Sequence, residues 1–170
     1  MNISLPNDVS FILDKLLENG FSAYIVGGCV RDALLLKTPT DWDICTNALP
    51  QQTIDIFSDY KTIKTGIKHG TITLLINSVP YEITTFRTDG DYFDSRHPEN
   101  VKYIRDIDGD LARRDFTINA MAYNKKLVDL YNGQKDLKNR IIRCVGDADK
   151  RFLEDALRIM RAIRFSAVLD

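Results

Sequence analysis

Apolar positions at helical spacing open the chain. Val9, Ile12, Leu13, Leu16 and Leu17 recur three and four residues apart, and Asn19-Gly20 supplies a stop, so an amphipathic helix is expected over residues 8 to 18. The period then changes: Ala23-Tyr24-Ile25-Val26 is a short apolar run ended by Gly27-Gly28, and a helix-like pattern resumes from Val30 to Leu36. The two glycines therefore fall at a strand-to-helix turn, where backbone N–H groups can approach a phosphate. A second strand is expected at Trp42 to Cys45, after the breaker Thr38-Pro39-Thr40. Pro50 leads a helix over Gln51 to Ser58, and three strand candidates follow at Thr62 to Thr65, Thr71 to Ile76 and Tyr81 to Phe86. Asn77-Ser78-Val79-Pro80 suits a hairpin connection between the last two.

The second half is patterned differently. Arg87 to Asn100 is polar and turn-rich and reads as a mobile loop carrying Asp89, Asp91, Arg96 and His97. A short helix is expected over Asp115 to Ala122, a strand over Leu127 to Leu130 and an extended piece over Arg140 to Val145. Asp149 to Leu169 reads as one long helix, with Phe152, Ala156, Ile159, Met160, Ile163 and Ala167 at 3.6-type spacing. It reaches the terminus without a capping glycine or proline. The expectation is a helix that packs against more protein, its apolar face partly exposed, buried on the rest of the chain, or covered by a second copy.

Composition narrows the class. A chain of 170 residues has room for one compact domain and the start of another. Hydrophobic content of 44% and charged content of 28% are ordinary for a globular protein and exclude disordered, collagenous and disulfide-scaffold classes. A net charge of −1 argues against gripping nucleic acid by overall basicity and leaves a local basic face open. Cys29, Cys45 and Cys144 are odd in number and lack a CxxC pair, so neither a zinc site nor a disulfide framework is indicated. The start is not patterned as a signal peptide, and no apolar run approaches the roughly 20 residues that span a bilayer. A cytoplasmic protein without a membrane partner is expected.

The candidate chemistry lies in acidic residues. Asp41 and Asp43 are two apart on an expected strand, so their carboxylates project from one face. Such oxygen ligands suit Mg²⁺, which takes one or two protein carboxylates and completes its shell with water and phosphate oxygens. Alone, such a pair is more often two solvated surface aspartates. Glu82, sharing a strand face with Thr84 and Phe86, supplies a third carboxylate from a neighbouring strand or, more blandly, an edge glutamate. Three carboxylates with two metals can activate a 3′-hydroxyl, align it with an α-phosphate and neutralise leaving pyrophosphate, without a nucleophilic side chain. Arg31 is placed to assist the glycine turn as a bidentate phosphate donor. Asp155 and Arg158, at i and i+3, put an acceptor beside donors on one helix face, with Arg161 and Arg164 continuing that side. Cytosine and adenine both pair an exocyclic amine donor with a ring-nitrogen acceptor, so this pair can accept C and A and reject U and G; an intrahelical salt bridge is the competing meaning. His69 and His97 carry no assigned role, and Cys29 reads as a small packing residue.

Gly27-Gly28-Cys29-Val30-Arg31-Asp32 followed by Asp41-Trp42-Asp43 resembles the signature of the polymerase β-type nucleotidyltransferases. Arg113-Arg114-Asp115-Phe116-Thr117-Ile118-Asn119-Ala120 resembles the RRDFTxNA motif of class II CCA-adding enzymes and bacterial poly(A) polymerases, and Glu154-Asp155-Ala156-Leu157-Arg158 their EDxxR nucleotide-recognition helix. These motifs keep the family's order over about residues 20 to 168. The resemblance implies metal ligation by Asp41 and Asp43, a third catalytic carboxylate at Glu82, nucleotide contacts from Gly27, Gly28 and Arg31, and ribose or phosphate contacts near Arg114, Asp115 and Asn119. It places base recognition at Asp155 and Arg158, with Arg161 and Arg164 beside them.

The implied fold is α+β: a nucleotidyltransferase head over residues 1–147, with a mixed, mainly antiparallel sheet flanked by helices, and the start of a helical neck at 148–170. The implied activity is Mg²⁺-dependent, template-independent transfer of CMP and AMP from CTP and ATP to the 3′ end of tRNA, with self-association through an exposed neck helix left open. An A-adding enzyme or poly(A) polymerase is the nearest alternative, and a non-catalytic nucleotide- or RNA-binding module another. A small-molecule nucleotidyltransferase would share the aspartate pair but is not expected to carry the RRDF and EDxxR segments.

Overall fold

The computed structural model describes residues 2–90 and 101–169. Helix α1 forms over Asn7–Glu18 and buries Val9, Ile12, Leu13 and Leu16, the stripe its spacing implies. Strand β1 (Ala23–Val26) leads through the glycine turn into helix α2 (Gly28–Leu34), and β2 (Ile44–Thr46) precedes helix α3 (Pro50–Ile56). Strands β3 (Lys61–Ile63), β4 (Thr71–Ile76) and β5 (Val79–Thr85) form a meander. Asn77 and Ser78, with φ of 50° and 67°, make the two-residue turn between β4 and β5, so Val79 and Pro80 belong to the strand rather than the loop.

One seven-stranded sheet runs β3-β4-β5-β2-β1-β8-β9, where β8 is Met121–Asn124 and β9 is Lys126–Asp129. Among the described residues only β2 and β5 pair in parallel, so the sheet is mixed and mainly antiparallel, as expected. Alternation divides the side chains between two faces. Ile25, Ile44, Leu74, Tyr81, Ile83, Met121 and Tyr123 share one core with α1 and α2 residues. Val26, Cys45, Phe86 and Ala122 lie on the other, against Leu111 of helix α4 (Ile107–Ala112). The open end of this second face holds the candidate chemistry.

Several elements differ from the pattern reading. The expected helix over Asp115 to Ala122 shrinks to a single 3₁₀ turn at Thr117–Asn119, because Met121 and Ala122 are drawn into β8 beside β1. Arg140 to Val145 forms no strand; Cys144 contributes an isolated bridge to Phe116. Helices α4 and α5 (Gly133–Lys138) are too short for periodicity to reveal. Within Arg87 to Asn100, Arg87–Asp89 forms β6, paired with β7 (Val101–Tyr103). Asp91, Arg96 and His97 lie outside the described residues.

The long C-terminal helix is two helices, α6 (Ala148–Glu154) and α7 (Leu157–Val168). Asp155 leaves helical geometry with φ −143° and ψ 103°, and its Oδ1 accepts the Leu157 N–H at 2.9 Å. A short carboxylate that bonds the backbone locally competes with the helical ladder, which explains the break. Phe165 of α7 enters a third core with Phe116, Ile118 and Cys144. Of the expected apolar face, Ile159, Met160 and Ile163 are exposed while Phe152 packs against this third core; Leu157 and Val168, outside that face, are exposed too. No helix among the described residues is long and apolar enough to cross a membrane.

Candidate active site

Asp41 and Asp43 lie just before β2 rather than on it. The Asp43 carbonyl accepts the Val26 N–H at 3.0 Å, so the backbone is held beside β1 although the strand proper starts one residue later. In the parallel β2–β5 register Ile44 faces Ile83, so one step back Asp43 is level with Glu82. Asp41, Asp43 and Glu82 are all exposed, at one edge of the open face.

Their electrostatics mark a shared negative field. The Asp43 carboxyl is pushed up from its ordinary value by desolvation; the Arg114 guanidinium opposes this and Asp41 reinforces it. Glu82 is raised by desolvation and by Asp43 and Asp41. Like charges gathered at one place disfavour ionisation, and a divalent cation would relieve them. Among the described residues no three His, Cys, Asp or Glu side chains form a ready metal cage. The donor set fits a hard cation gripped by the Asp41/Asp43 pair alone, with solvent and phosphate supplying the remaining ligands.

The glycine turn is built around an arginine. Gly27 is buried at φ 80° and ψ −128°, a conformation open to glycine, and a Cβ there would stand 3.1 Å from Nη1 of Arg114. Gly28 meets no such demand, since its nearest side-chain neighbour would be Arg31 Nη2 at 3.6 Å. Arg114 is fixed by Asp110, whose Oδ2 accepts from its Nη2 at 3.1 Å, while Nε is buried without a partner. Asp110 Oδ1 also accepts from Arg113 Nε and Nη2 at 3.0 and 2.9 Å. Burial pushes the fully enclosed Asp110 carboxyl up, but Arg114 and Arg113 outweigh it and hold the group below its usual range. For Arg114, desolvation pulls down and Asp110 and other anionic groups more than compensate, so its pKa is raised.

A second network continues from α2 to α7. Arg31 donates Nη1 to Asn119 Oδ1 at 2.7 Å and Nε to Asp32 Oδ1 at 2.9 Å. Asn119 Nδ2 reaches Asp115 Oδ1 at 3.3 Å, which also accepts the Phe116 N–H at 2.8 Å. Asp115 Oδ2 accepts Arg161 Nε at 2.7 Å. The structure thus brings together Gly27, Gly28, Arg31, Arg114, Asp115, Asn119 and Arg161, with Asp43 within the field of Arg114.

Asp155 and Arg158 do not stand side by side on one helix, because the break between α6 and α7 separates them. Arg158 is buried and donates Nη1 to Glu154 Oε2 at 2.8 Å and to the Arg151 carbonyl at 3.0 Å, so its ion-pair partner is i−4 rather than i−3. Arg164 is exposed. His69 is exposed in the β3–β4 connection, where its carbonyl accepts from Arg87. Cys29 is pushed up to about 11, first by burial and then by Asp43, consistent with packing rather than nucleophilic chemistry. Sequence reasoning missed Asp110 and Phe165. Asp110 had a legible signal in its i−4 spacing from Arg114, whereas Phe165 falls outside the apolar positions singled out in that helix.

Comparison with known proteins returns one family over this architecture. A profile of the poly(A) polymerase head domain matches residues 23–143. The CCA-adding enzyme of Lactobacillus delbrueckii subsp. bulgaricus is 52% identical over 161 residues, 94% of this chain and 40% of that protein. That of Lactobacillus helveticus is 53% identical over 160 residues, 93% of this chain and 40% of its own length. The crystal structure of Bacillus stearothermophilus CCA-adding enzyme in complex with CTP superposes with a TM-score of 0.83 at 45% identity, covering 92% of this chain and 38% of that one. Thermotoga maritima CCA-adding enzyme complexed with tRNA gives 0.74 at 30% identity, covering 96% and 38%. The chain spans about two fifths of the length of these relatives.

Proposed function

This chain belongs to the poly(A) polymerase head-domain family, and on that premise we propose that it catalyses template-independent transfer of CMP and AMP from CTP and ATP to the 3′ end of tRNA. The observation that carries the reading is the placement together of Asp41 and Asp43, just before the interior strand β2, and Glu82 on the adjoining interior strand β5, with Asp43 in the field of Arg114 beside Gly27. The names of relatives at about half identity, CCA-adding enzymes, supply the activity class, and two solved CCA-adding enzymes, one with CTP at 45% identity and one with tRNA at 30%, supply the nucleotide and RNA. Residues 1–147 act as the catalytic head and 148–170 as the first part of a helical neck. A cytoplasmic location follows from the tRNA substrate.

Asp41 and Asp43 would hold Mg²⁺, and bound there it would acidify the attacking 3′-hydroxyl and neutralise the departing pyrophosphate. Glu82 adds a third carboxylate from the neighbouring strand β5. Arg31, its guanidinium fixed by Asn119 and Asp32, would turn its remaining Nη hydrogens to the triphosphate. Arg114, held by Asp110 against Gly27, sets positive charge close to the carboxylates. Asp115 and Asn119 orient the ribose end, tied to each other and to Arg161. Asp155, whose Oδ1 caps α7, offers its other oxygen to an exocyclic amine, while Arg158, buried on Glu154 and the Arg151 and Arg113 carbonyls, holds the α6–α7 junction in place beside it. Arg161 and Arg164 line the same helix.

The test offers the chain a tRNA lacking its 3′-CCA, each labelled nucleoside triphosphate in turn, and Mg²⁺. Incorporation of C and A that stops after three nucleotides is expected, and it should fall by at least about a thousandfold in an Asp41→Ala, Asp43→Ala variant. Full activity in that variant would refute the metal assignment, and long A runs would move the reading to a poly(A) polymerase.

A further inference from the structure

We propose that Phe165 is a positioning residue, whose aromatic face sets the guanidinium groups of Arg31 and Arg161 for the triphosphate; this rests on the proposed nucleotide site. The two arginines come from distant parts of the chain, α2 in the head and α7 beyond it. Both reach the same ring: the Arg31 guanidinium carbon is 5.1 Å from the Phe165 centroid and that of Arg161 is 5.4 Å. Cations at that range are attracted by the ring quadrupole. The ring itself is fixed, being 8% exposed and set edge-on to Phe116 at 5.8 Å and 86°.

The side-chain hydrogen bonds leave a need for such a support. Arg31 is held by Asn119 and Asp32 at its donor edge, and Arg161 by Asp115 at Nε. Those contacts fix where each group is anchored; the ring adds a flat apolar surface that fixes the plane of the guanidinium. Each arginine already has a carboxylate partner, Asp32 for Arg31 and Asp115 for Arg161, so the two cations stand together on one ring. A triphosphate would be gripped by a pair already ordered. Phe165 touches no reacting atom, so its effect should fall on nucleotide affinity, with the chemical step unchanged.

Helix register supports the same assignment. Arg158, Arg161 and Phe165 recur at i, i+3 and i+7, one face of α7, and this face docks on the head. The apolar side chains Leu157, Met160 and Val168 are left exposed. The docking face carries two arginines and one aromatic ring, with Ala162 and Leu169 packed beside them, so α7 is seated by the same groups that it orients.

The experiment measures KM and kcat for nucleoside triphosphate, and ATP binding by calorimetry, in the complete chain and in Phe165→Leu and Phe165→Tyr. Leucine keeps an apolar plug and removes the quadrupole; tyrosine keeps the ring. Phe165→Leu should raise KM and the ATP dissociation constant about tenfold with kcat within about twofold, and Phe165→Tyr should restore both. Parental affinity in Phe165→Leu overturns the inference, as does an equal defect in Phe165→Tyr, which would make the ring structural only. Should Phe165→Leu fail to fold, the tyrosine comparison and a Phe165→Met variant decide it by the same criterion. A parent chain that binds ATP and transfers nucleotide while Phe165→Leu is unchanged sinks this inference alone; a parent that binds no nucleotide sinks the proposed function with it.

Discussion

Replacing Asp110 by alanine isolates the clamp behind the glycine turn. Its carboxylate has no solvent exposure and carries three side-chain hydrogen bonds, two to Arg113 at 3.0 and 2.9 Å and one to Arg114 at 3.1 Å, plus the Arg87 N–H at 3.4 Å. Removing it leaves two guanidinium groups, 17% and 19% exposed, without their shared counter-ion. Breaking a buried pair from one side costs about 3–5 kcal/mol. For a chain of this size each kcal/mol lowers Tm by about 2–4 °C, so a fall of roughly 6–20 °C is expected in a thermal melt. The pH dependence has a definite sign. A carboxyl held below its usual range contributes stability present above the unfolded aspartate value and lost as pH falls through the folded one. The gap between parent and Asp110→Ala should therefore be full at neutral pH and close in acid. A loss below about 1 kcal/mol at pH 7, or a gap that widens as pH drops, would refute the reasoning.

Other expectations follow from the same geometry. Gly27→Ala meets both a positive φ of 80° and a 3.1 Å approach to Arg114 Nη1, so urea denaturation should show a loss of about 1–3 kcal/mol, whereas Gly28→Ala, with 3.6 Å of room, should cost under about 1 kcal/mol. Asp43 and Glu82 both have raised values, so without a divalent cation the folded state holds their protons more tightly than the unfolded chain. Their contribution to stability falls as pH rises through the carboxylate range. Asp43→Asn should accordingly raise the metal-free Tm at neutral pH, and added Mg²⁺ should raise the parent's Tm and leave the variant's unchanged; identical Mg²⁺ responses would contradict this. Asp155→Ala removes the Leu157 cap, so amide exchange at the start of α7 should quicken while exchange in α1 stays as it was.

Much of the head could be read from local pattern. The spacing of Val9, Ile12, Leu13 and Leu16 already states which side of α1 is buried. Alternation in Thr71 to Thr85 states the β4–β5 hairpin and places Glu82 on the less buried face, because side chains follow backbone periods of 3.6 and two wherever one side meets a core. Asp41, Asp43, Glu82 and Arg31 could be singled out as candidate chemistry by residue type and spacing, whereas Arg114 and Asp115 were named through the motif resemblance.

Elements set by a neighbour rather than by their own period were not legible. Met121 and Ala122 look helical after Asp115, yet they complete β8, because the edge of β1 offers hydrogen bonds that a short local helix cannot match. Asp155 sits in an uninterrupted helical pattern, and only its carboxylate on the Leu157 N–H shows that two helices meet there and that Arg158 turns to Glu154. Asp110 and Phe165 gain their meaning from what arrives beside them across the fold: two arginines on a buried carboxylate, and two arginines on one ring. The sequence by itself determined the periods, the faces and the chemical types. Tertiary structure decided which charges are neutralised and by whom, because pairing energies depend on separations of a few ångströms between residues up to about 130 positions apart, and no local pattern encodes those distances.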